Sequence, residues 1–223
     1  MSMSSEGMSE SILEELRGLI ISGEGDSAKA LVSSQLDRID PLTAIEGGMA
    51  PAMAVVGDRF GRGEIYLPEM IKAANAFEEV MTVLRPKILE SGQSVKRIGT
   101  VVIGSVQTDI HEIGKNIVAT MLSTGGFEVH DLGADVAPLS FIDKAEEVGA
   151  DIIAASSIMT TTMPYQKDII DVLESMGFRD RFKVIVGGGP VNAEWAKEIG
   201  ADGYADTAPE AVELAKELMS GKT

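Results

Sequence analysis

Cysteine is absent from the 223 residues. Disulfides are therefore excluded, and thiolate metal or redox chemistry has no ligand to use. Any metal centre must rely on histidine and oxygen donors or arrive inside a cofactor. Histidine is itself scarce, with only His111 and His130 present. Basic residues are few: 19 Lys and Arg stand against 35 Asp and Glu, a formal charge of −16. Nucleic acid and anionic membranes are usually met by basic patches, so neither is expected as a partner. No apolar run approaches the ~20 residues that span a bilayer. Met1 to Glu10 has neither the basic start nor the apolar core of a secretion signal, and a cytoplasmic location is the default expectation.

What is present falls into two patterns. Up to about Leu89 the apolar spacing is helical, with Ile12, Leu13, Leu16, Leu19 and Ile20 recurring on one face. After a break at Ser22 to Asp26, Ala30, Leu31 and Leu36 mark a second helix, and Pro41 suits the first turn of a third with Asp40 as its N-cap. Beyond Gly57 to Gly63, a segment led by Pro68 carries Met70, Ile71, Ala74, Phe77, Val80, Met81 and Leu84. The expectation is a small bundle of four or more helices over residues 8–91.

Ser91-Gly92-Gln93-Ser94 reads as a linker, and the pattern changes beyond it. Strand-like runs at Thr100 to Val106, Glu128 to Leu132, Ile152 to Ser156, Val184 to Val186 and Gly203 to Ala205 alternate with amphipathic segments. Repeated strand–helix units with right-handed crossovers predict a parallel sheet covered on both faces, a doubly wound domain over residues 95–221. The fold class is α plus α/β: a helical bundle followed by a Rossmann-like or flavodoxin-like domain.

In such a sheet the loops at the carboxyl ends of the strands share one edge, where ligands bind. Three of these loops have unusual chemistry. The first, Asp109-Ile110-His111-Glu112-Ile113-Gly114, follows the first strand. Its Asp can hold one ring nitrogen of His111 and leave the other free to bind a metal, although a solvated loop histidine fits the same residues. Gly114 would let the turn approach a bulky group. In the second loop, Ser156-Ser157-Ile158-Met159-Thr160-Thr161-Thr162, the hydroxyls either meet a ligand or cap the next helix. The third, Gly187-Gly188-Gly189-Pro190, permits close backbone approach to a ligand or is an ordinary turn, and it matches neither glycine-rich nucleotide fingerprint.

Their joint spacing is more specific than any one of them. Gly114 is followed by 41 residues, Ser156-Ser157-Ile158, 28 residues and then Gly187-Gly188. That order resembles the D-x-H-x-x-G, S-x-L, G-G signature of methionine synthase and other cobalamin proteins. Gly114-Lys115-Asn116-Ile117-Val118 and Met159-Thr160-Thr161-Thr162-Met163 are similar to stretches of the small corrinoid proteins that serve methyltransferases. Val56-Gly57-Asp58-Arg59-Phe60 and Gly63-Glu64-Ile65-Tyr66-Leu67-Pro68-Glu69-Met70 resemble their helical cap. The likeness covers roughly Ser11 to Met219 and points to the methyltransferase cognate corrinoid proteins.

The resemblance implies a cobalamin or related corrinoid cofactor, cycling between methylcob(III)alamin and cob(I)alamin. It makes His111 the lower axial ligand to cobalt, Asp109 the holder of its other nitrogen, and Thr162 the hydroxyl that completes the chain, where methionine synthase has Ser. Ser156, Ile158, Gly187, Gly188 and Gly189 would line the slot for the displaced nucleotide tail. Ile110, Glu112, Gly114 and Thr160 would be further cofactor contacts. In the cap, Phe60 and Leu67 match an apolar pair over the upper corrin face and Glu46 a further contact, while Met49, Met53, Met70 and Met81 read as bundle core. The implied partners are a substrate-specific methyltransferase, an acceptor methyltransferase acting on a pterin or thiol, and a reductive activase. The chain itself would not be catalytic without them. The linker would be the hinge that lets partners in, and amines are the favoured donor class. His130 has no assigned role. Two alternatives stay open: a cobalamin sensor or mutase subunit, and a cofactor-free flavodoxin-like interaction module.

Overall fold

The computed structural model describes residues 5–36, 38–90 and 97–221. The chain divides into two units, Met1–Lys96 and Arg97–Thr223. The linker and hinge expected at Ser91 to Ser94 lie outside the described residues.

The first unit contains α1 (Ser5–Ser22), α2 (Gly25–Gln35), α3 (Pro41–Ala44), a π turn (Ile45–Met49), α4 (Ala50–Gly61) and α5 (Leu67–Glu90). Leu16 and Ile20 of α1, Met49, Met53, Met70, Val80, Met81 and Leu84 are all buried, and α1 packs on the π turn, α4 and α5, so the four methionines are core side chains as expected. The buried face of α2 is Ala28 and Val32, whereas Ala30 is exposed. Alanine buries too little surface to fix a helix face by pattern alone. The start of α3 follows expectation: the Asp40 carboxylate accepts from the Thr43 N–H at 3.0 Å, and Pro41 occupies the first turn.

From Pro41 to Gly61 the chain is helical throughout, but it passes through the π turn. Pro51 explains why. It has no N–H to give the carbonyl of Gly47 four residues earlier, and its ring crowds that carbonyl, which loosens the α register. The guanidinium of Arg17 from α1 supplies the missing donor, with Nη2 to the Gly47 oxygen at 2.7 Å.

The second unit alternates β1 (Thr100–Ser105), α6 (Ile113–Thr124), β2 (Glu128–Asp131), α7 (Pro138–Val148), β3 (Ile152–Ser156), α8 (Pro164–Ser175), β4 (Lys183–Gly187), α9 (Ala193–Ile199), β5 (Gly203–Tyr204) and α10 (Ala208–Ser220). The five strands are parallel in the order β2-β1-β3-β4-β5. Val102, Ile153 and Val184 are fully buried against Phe141, Ile142, Ile169, Ile170 and Leu173 of α7 and α8. Helices α6 and α10 pack together, and at their contact a side chain on Gly125 would meet Val212. This is the α plus α/β organisation that the sequence pattern predicts. Among the described residues no helix is long and apolar enough to cross a membrane.

From β1 the chain turns to β2 on one side, and from β3 to β4 on the other, so the strand order reverses between β1 and β3. Loops leaving the carboxyl ends of these two strands diverge, which is where doubly wound sheets bind ligands.

Candidate functional site

Asp109 sits at that reversal, fully buried. Its Oδ1 accepts from the His111 N–H at 3.1 Å and from His111 Nδ1 at 2.8 Å. Its Oδ2 accepts from the Ile158 N–H at 2.7 Å and from the Thr162 hydroxyl at 2.8 Å. One carboxylate thus binds the loop after β1 to the loop after β3, using all four of its lone-pair directions. Burial alone pushes the carboxyl pKa up. The bonds from Ile158, His111 and Thr162 outweigh that, and hold it below the ordinary carboxylate value.

An ionised Asp109 only accepts, so His111 Nδ1 must carry the proton of the bond between them. The Nε2 lone pair is then left free, on a side chain that is 48% exposed. The ring is a fixed tautomer with one open donor atom. Among the described residues no three His, Asp or Glu side chains converge to hold a bare metal ion. A single imidazole suits a metal whose other ligands come with it.

The main chain around His111 is secured from several directions. Ser105, the last residue of β1, donates its hydroxyl to the His111 carbonyl at 2.6 Å. Thr108 adopts φ 64°, with its N–H on Asp135 Oδ1 at 2.7 Å, and the Asp135 N–H returns to the Asp109 carbonyl at 2.9 Å. Inside the first turn of α6, the buried Lys115 ammonium reaches both carboxylate oxygens of Asp131 at 2.5 Å, which ties this helix to the end of β2.

In the second loop the hydroxyl run does not cap α8, whose N-cap position, Met163, makes no side-chain capping bond. Thr162 is buried and turned back to Asp109, and Ser157 Oγ lies 2.8 Å from Thr162 Oγ1. The chain His111–Asp109–Thr162 therefore forms and extends one hydroxyl further. Thr160 is exposed and Ser156 half-buried.

The third loop approaches its neighbour more closely than a ligand-facing turn requires. Gly188 has φ +122°, and a Cβ there would lie 1.8 Å from the Ser157 carbonyl oxygen. The space a side chain would need is filled by the backbone of the second loop. Gly187 ends β4, and Gly189 is exposed.

Large apolar side chains beside the imidazole are left uncovered. Ile110 is 76%, Ile113 74% and Ile158 37% exposed. Glu112 is exposed, and a Cβ on Gly114 would meet no atom within 4 Å. Exposed apolar surface around one open nitrogen donor fits a wide, flat, largely apolar group that brings its own metal. In the helical unit, Glu46 is exposed on the π turn, and Phe60 and Leu67 are only half-buried, so neither belongs to the bundle core.

Sequence pattern finds Asp109 and His111, and the resemblance adds Thr162. Ser105, Asp135 and the Lys115–Asp131 pair go unnoticed because each acts on a partner beyond its own element, whereas Ser157 lies in the hydroxyl run the sequence marks and turns to Thr162 within that loop. Two glycines of the signature, Gly188 in the third loop and Gly114 in the first, also prove different in kind: the space beside one is filled by protein, the other faces open space.

Comparison with known proteins gives this geometry a family. Residues 99–213 match the B12 binding domain, and residues 12–85 a second, N-terminal B12 binding domain. The chain is 45% identical to dimethylamine corrinoid protein 2 of Methanosarcina acetivorans, over 96% of this chain and 98% of that one. A chain of the methanol:cobalamin methyltransferase complex of Methanosarcina barkeri superposes with a TM-score of 0.86 at 27% identity, covering 100% of this chain and 87% of that one. A cobalamin-binding protein of Desulfitobacterium hafniense superposes with a TM-score of 0.73 at 30% identity, covering 92% and 98%. The cofactor is accordingly a cobalamin or related corrinoid, which sets aside the cofactor-free module, and the chain belongs to the B12-binding corrinoid proteins.

Proposed function

We propose that this protein is a methyl carrier that receives a methyl group from a small methylated amine through a partner methyltransferase and delivers it to a second methyltransferase acting on a pterin or thiol. The observation that supports it most directly is the Asp109-held imidazole with Nε2 open among exposed isoleucines, in a chain resembling the dimethylamine corrinoid proteins of Methanosarcina along nearly its whole length. When bound, the corrinoid supplies a cobalt centre that can accept and release a methyl group.

The residues of this chain do the holding and orienting. His111 would hold the cobalt of the cofactor through Nε2. Asp109 keeps the proton on Nδ1 and the ring in one orientation, and the Ile158 N–H and Thr162 hydroxyl keep Asp109 in place. Ser156, Ile158 and Gly187 to Gly189 would receive the nucleotide tail, with Ile110, Glu112, Gly114 and Thr160 as neighbouring contacts. Glu46, Phe60 and Leu67 enter as cofactor contacts through the family resemblance. The partners are the two methyltransferases and a reductive activase, and the location is cytoplasmic.

The test is methyl uptake by the reduced, corrinoid-loaded protein in the presence of a dimethylamine-specific methyltransferase, with methanol and its methyltransferase as the contrasting pair. Uptake from dimethylamine alone is expected. His111→Ala should remove the imidazole-ligated visible spectrum and slow transfer at least about tenfold. Uptake from methanol alone would overturn the donor, and an unchanged spectrum in His111→Ala would overturn the ligand.

A further inference from the structure

Gln166 is fully buried in the first turn of α8 and takes no part in the chemistry above. Its Nε2 donates to the Ala155 carbonyl at 2.9 Å and to the Gly187 carbonyl at 3.1 Å. Its Oε1 accepts from the Trp195 indole N–H at 2.9 Å. The amide orientation follows from the partners: two carbonyls can only accept, and an indole N–H can only donate, so a flipped amide would lose all three bonds.

These partners lie where β3 and β4 end. Ala155 is the penultimate residue of β3, Gly187 the last of β4, and Trp195 belongs to α9. The Gly187 carbonyl also accepts from the Ser157 N–H at 3.0 Å, and Gly188 packs on the Ser157 carbonyl just beyond. The loops beginning at Ser156 and Gly188 thus leave the sheet from a base that one side chain staples together. Joining two acceptors to one donor needs two N–H groups and an oxygen on a neutral side chain. Glutamate lacks the donors, and arginine and lysine lack the acceptor.

We propose that Gln166 is a positioning residue that, backed by Trp195, fixes the spacing of the Ser156–Ile158 and Gly187–Gly189 loops and thereby selects corrinoids that carry a nucleotide tail. The inference rests on the reading that the tail lies along these two loops. Gln166 is buried and acts on the tail only through the strand ends it holds.

The experiment compares cobalamin with cobinamide, which has the same ring and cobalt but no nucleotide. Apo full-length protein is dialysed to equilibrium against each, and binding is read by visible absorbance. Wild type should prefer cobalamin. Gln166→Met, of similar volume but without polar groups, should lose about tenfold or more in cobalamin affinity, because the side-chain link between the ends of β3 and β4 is gone and the Trp195 indole loses its acceptor. Its cobinamide affinity should stay within about twofold, because the side-chain bonds of Gln166 go to Ala155, Gly187 and Trp195 and not to Asp109 or His111. Trp195→Phe, which keeps both amide donors and removes only their backing, should move selectivity in the same direction by less, and it decides the matter if Gln166→Met does not fold. Equal losses for both corrinoids, or full discrimination in the substituted proteins, would overturn the role of Gln166. A wild type that binds both equally would instead overturn the tail reading, and the inference with it.

Discussion

At the scale of single residues, the site separates glycines the fold needs from a glycine it does not. Gly188 combines φ +122° with a neighbouring backbone that would meet a Cβ at 1.8 Å. No rotamer relieves that overlap, since the obstructing atoms are the main chain of Ser157. Gly188→Ala should therefore destabilise the α/β unit by at least about 3 kcal/mol, or prevent soluble accumulation. Gly114 has no such neighbour and lies in the first turn of α6 with an ordinary helical backbone. Gly114→Ala should leave the urea midpoint unchanged or raise it by up to about 1 kcal/mol equivalent. Corrinoid affinity should nonetheless fall in that variant, since the open space in front of Gly114 is where the cofactor contact is proposed. Unfolding followed by Trp195 fluorescence, paired with equilibrium dialysis, reads both effects. A Gly114→Ala protein that bound corrinoid normally would show that Gly114 has no part in the site.

At the scale of elements, the strands were easy to read because a parallel sheet covered on both faces produces unbroken apolar runs such as Val101 to Ile103 and Ile152 to Ala155, all buried here. The Asp109 to His111 pair was equally legible, since its two members are neighbours in sequence. Gln166 with Trp195, 29 residues apart, and Lys115 with Asp131, 16 apart, were not legible, because their meeting depends on sheet register and helix placement. The π turn is not predicted by apolar spacing, although Pro51, ten residues beyond Pro41, is the one residue in the stretch that breaks an α register. Its physical account can be tested by a double-mutant cycle. Arg17→Met leaves the Gly47 carbonyl without its donor and should cost about 1 kcal/mol, the net value of a partly buried hydrogen bond. The cost is held down because Arg17 Nε is itself buried without a partner. In a Pro51→Ala background the helix regains an N–H at position 51, and the same substitution should cost less than half as much. Additive effects in urea melts followed by helical circular dichroism would sink the idea that Arg17 stands in for the missing proline N–H.

At the scale of the whole molecule, surface charge and buried carboxylates act on stability in opposite directions as pH falls. With 35 acidic residues against 19 basic ones, the folded chain repels itself at neutral pH. Protonating exposed carboxylates on the way to about pH 5 relieves that repulsion, so stability should rise over this range at low ionic strength. Asp202 behaves differently. Burial pushes its pKa up, but the Val184 N–H, Arg179 and Lys183 outweigh burial and hold it below the ordinary value; Asp109 is depressed in the same direction. A folded pKa below the unfolded one means that the unfolded chain takes up protons first. The stabilisation is then complete above about pH 4 and is lost as pH falls through the folded pKa. In about 20 mM salt the urea midpoint should accordingly climb from pH 7 to about pH 5 and drop below about pH 4. In about 0.5 M salt, where screening acts within a few ångströms, the climb should vanish while the acid drop persists, because the Asp202 carboxylate is mostly buried and is held partly by the Val184 N–H, a short contact that salt screens little. Asp202→Asn should lower stability at neutral pH and flatten the acid drop at both salt concentrations. A midpoint that declined steadily from pH 7 to 5 in low salt would show instead that the exposed ion pairs, such as Arg62 with Asp58 and Arg181 with Glu146, outweigh the net repulsion.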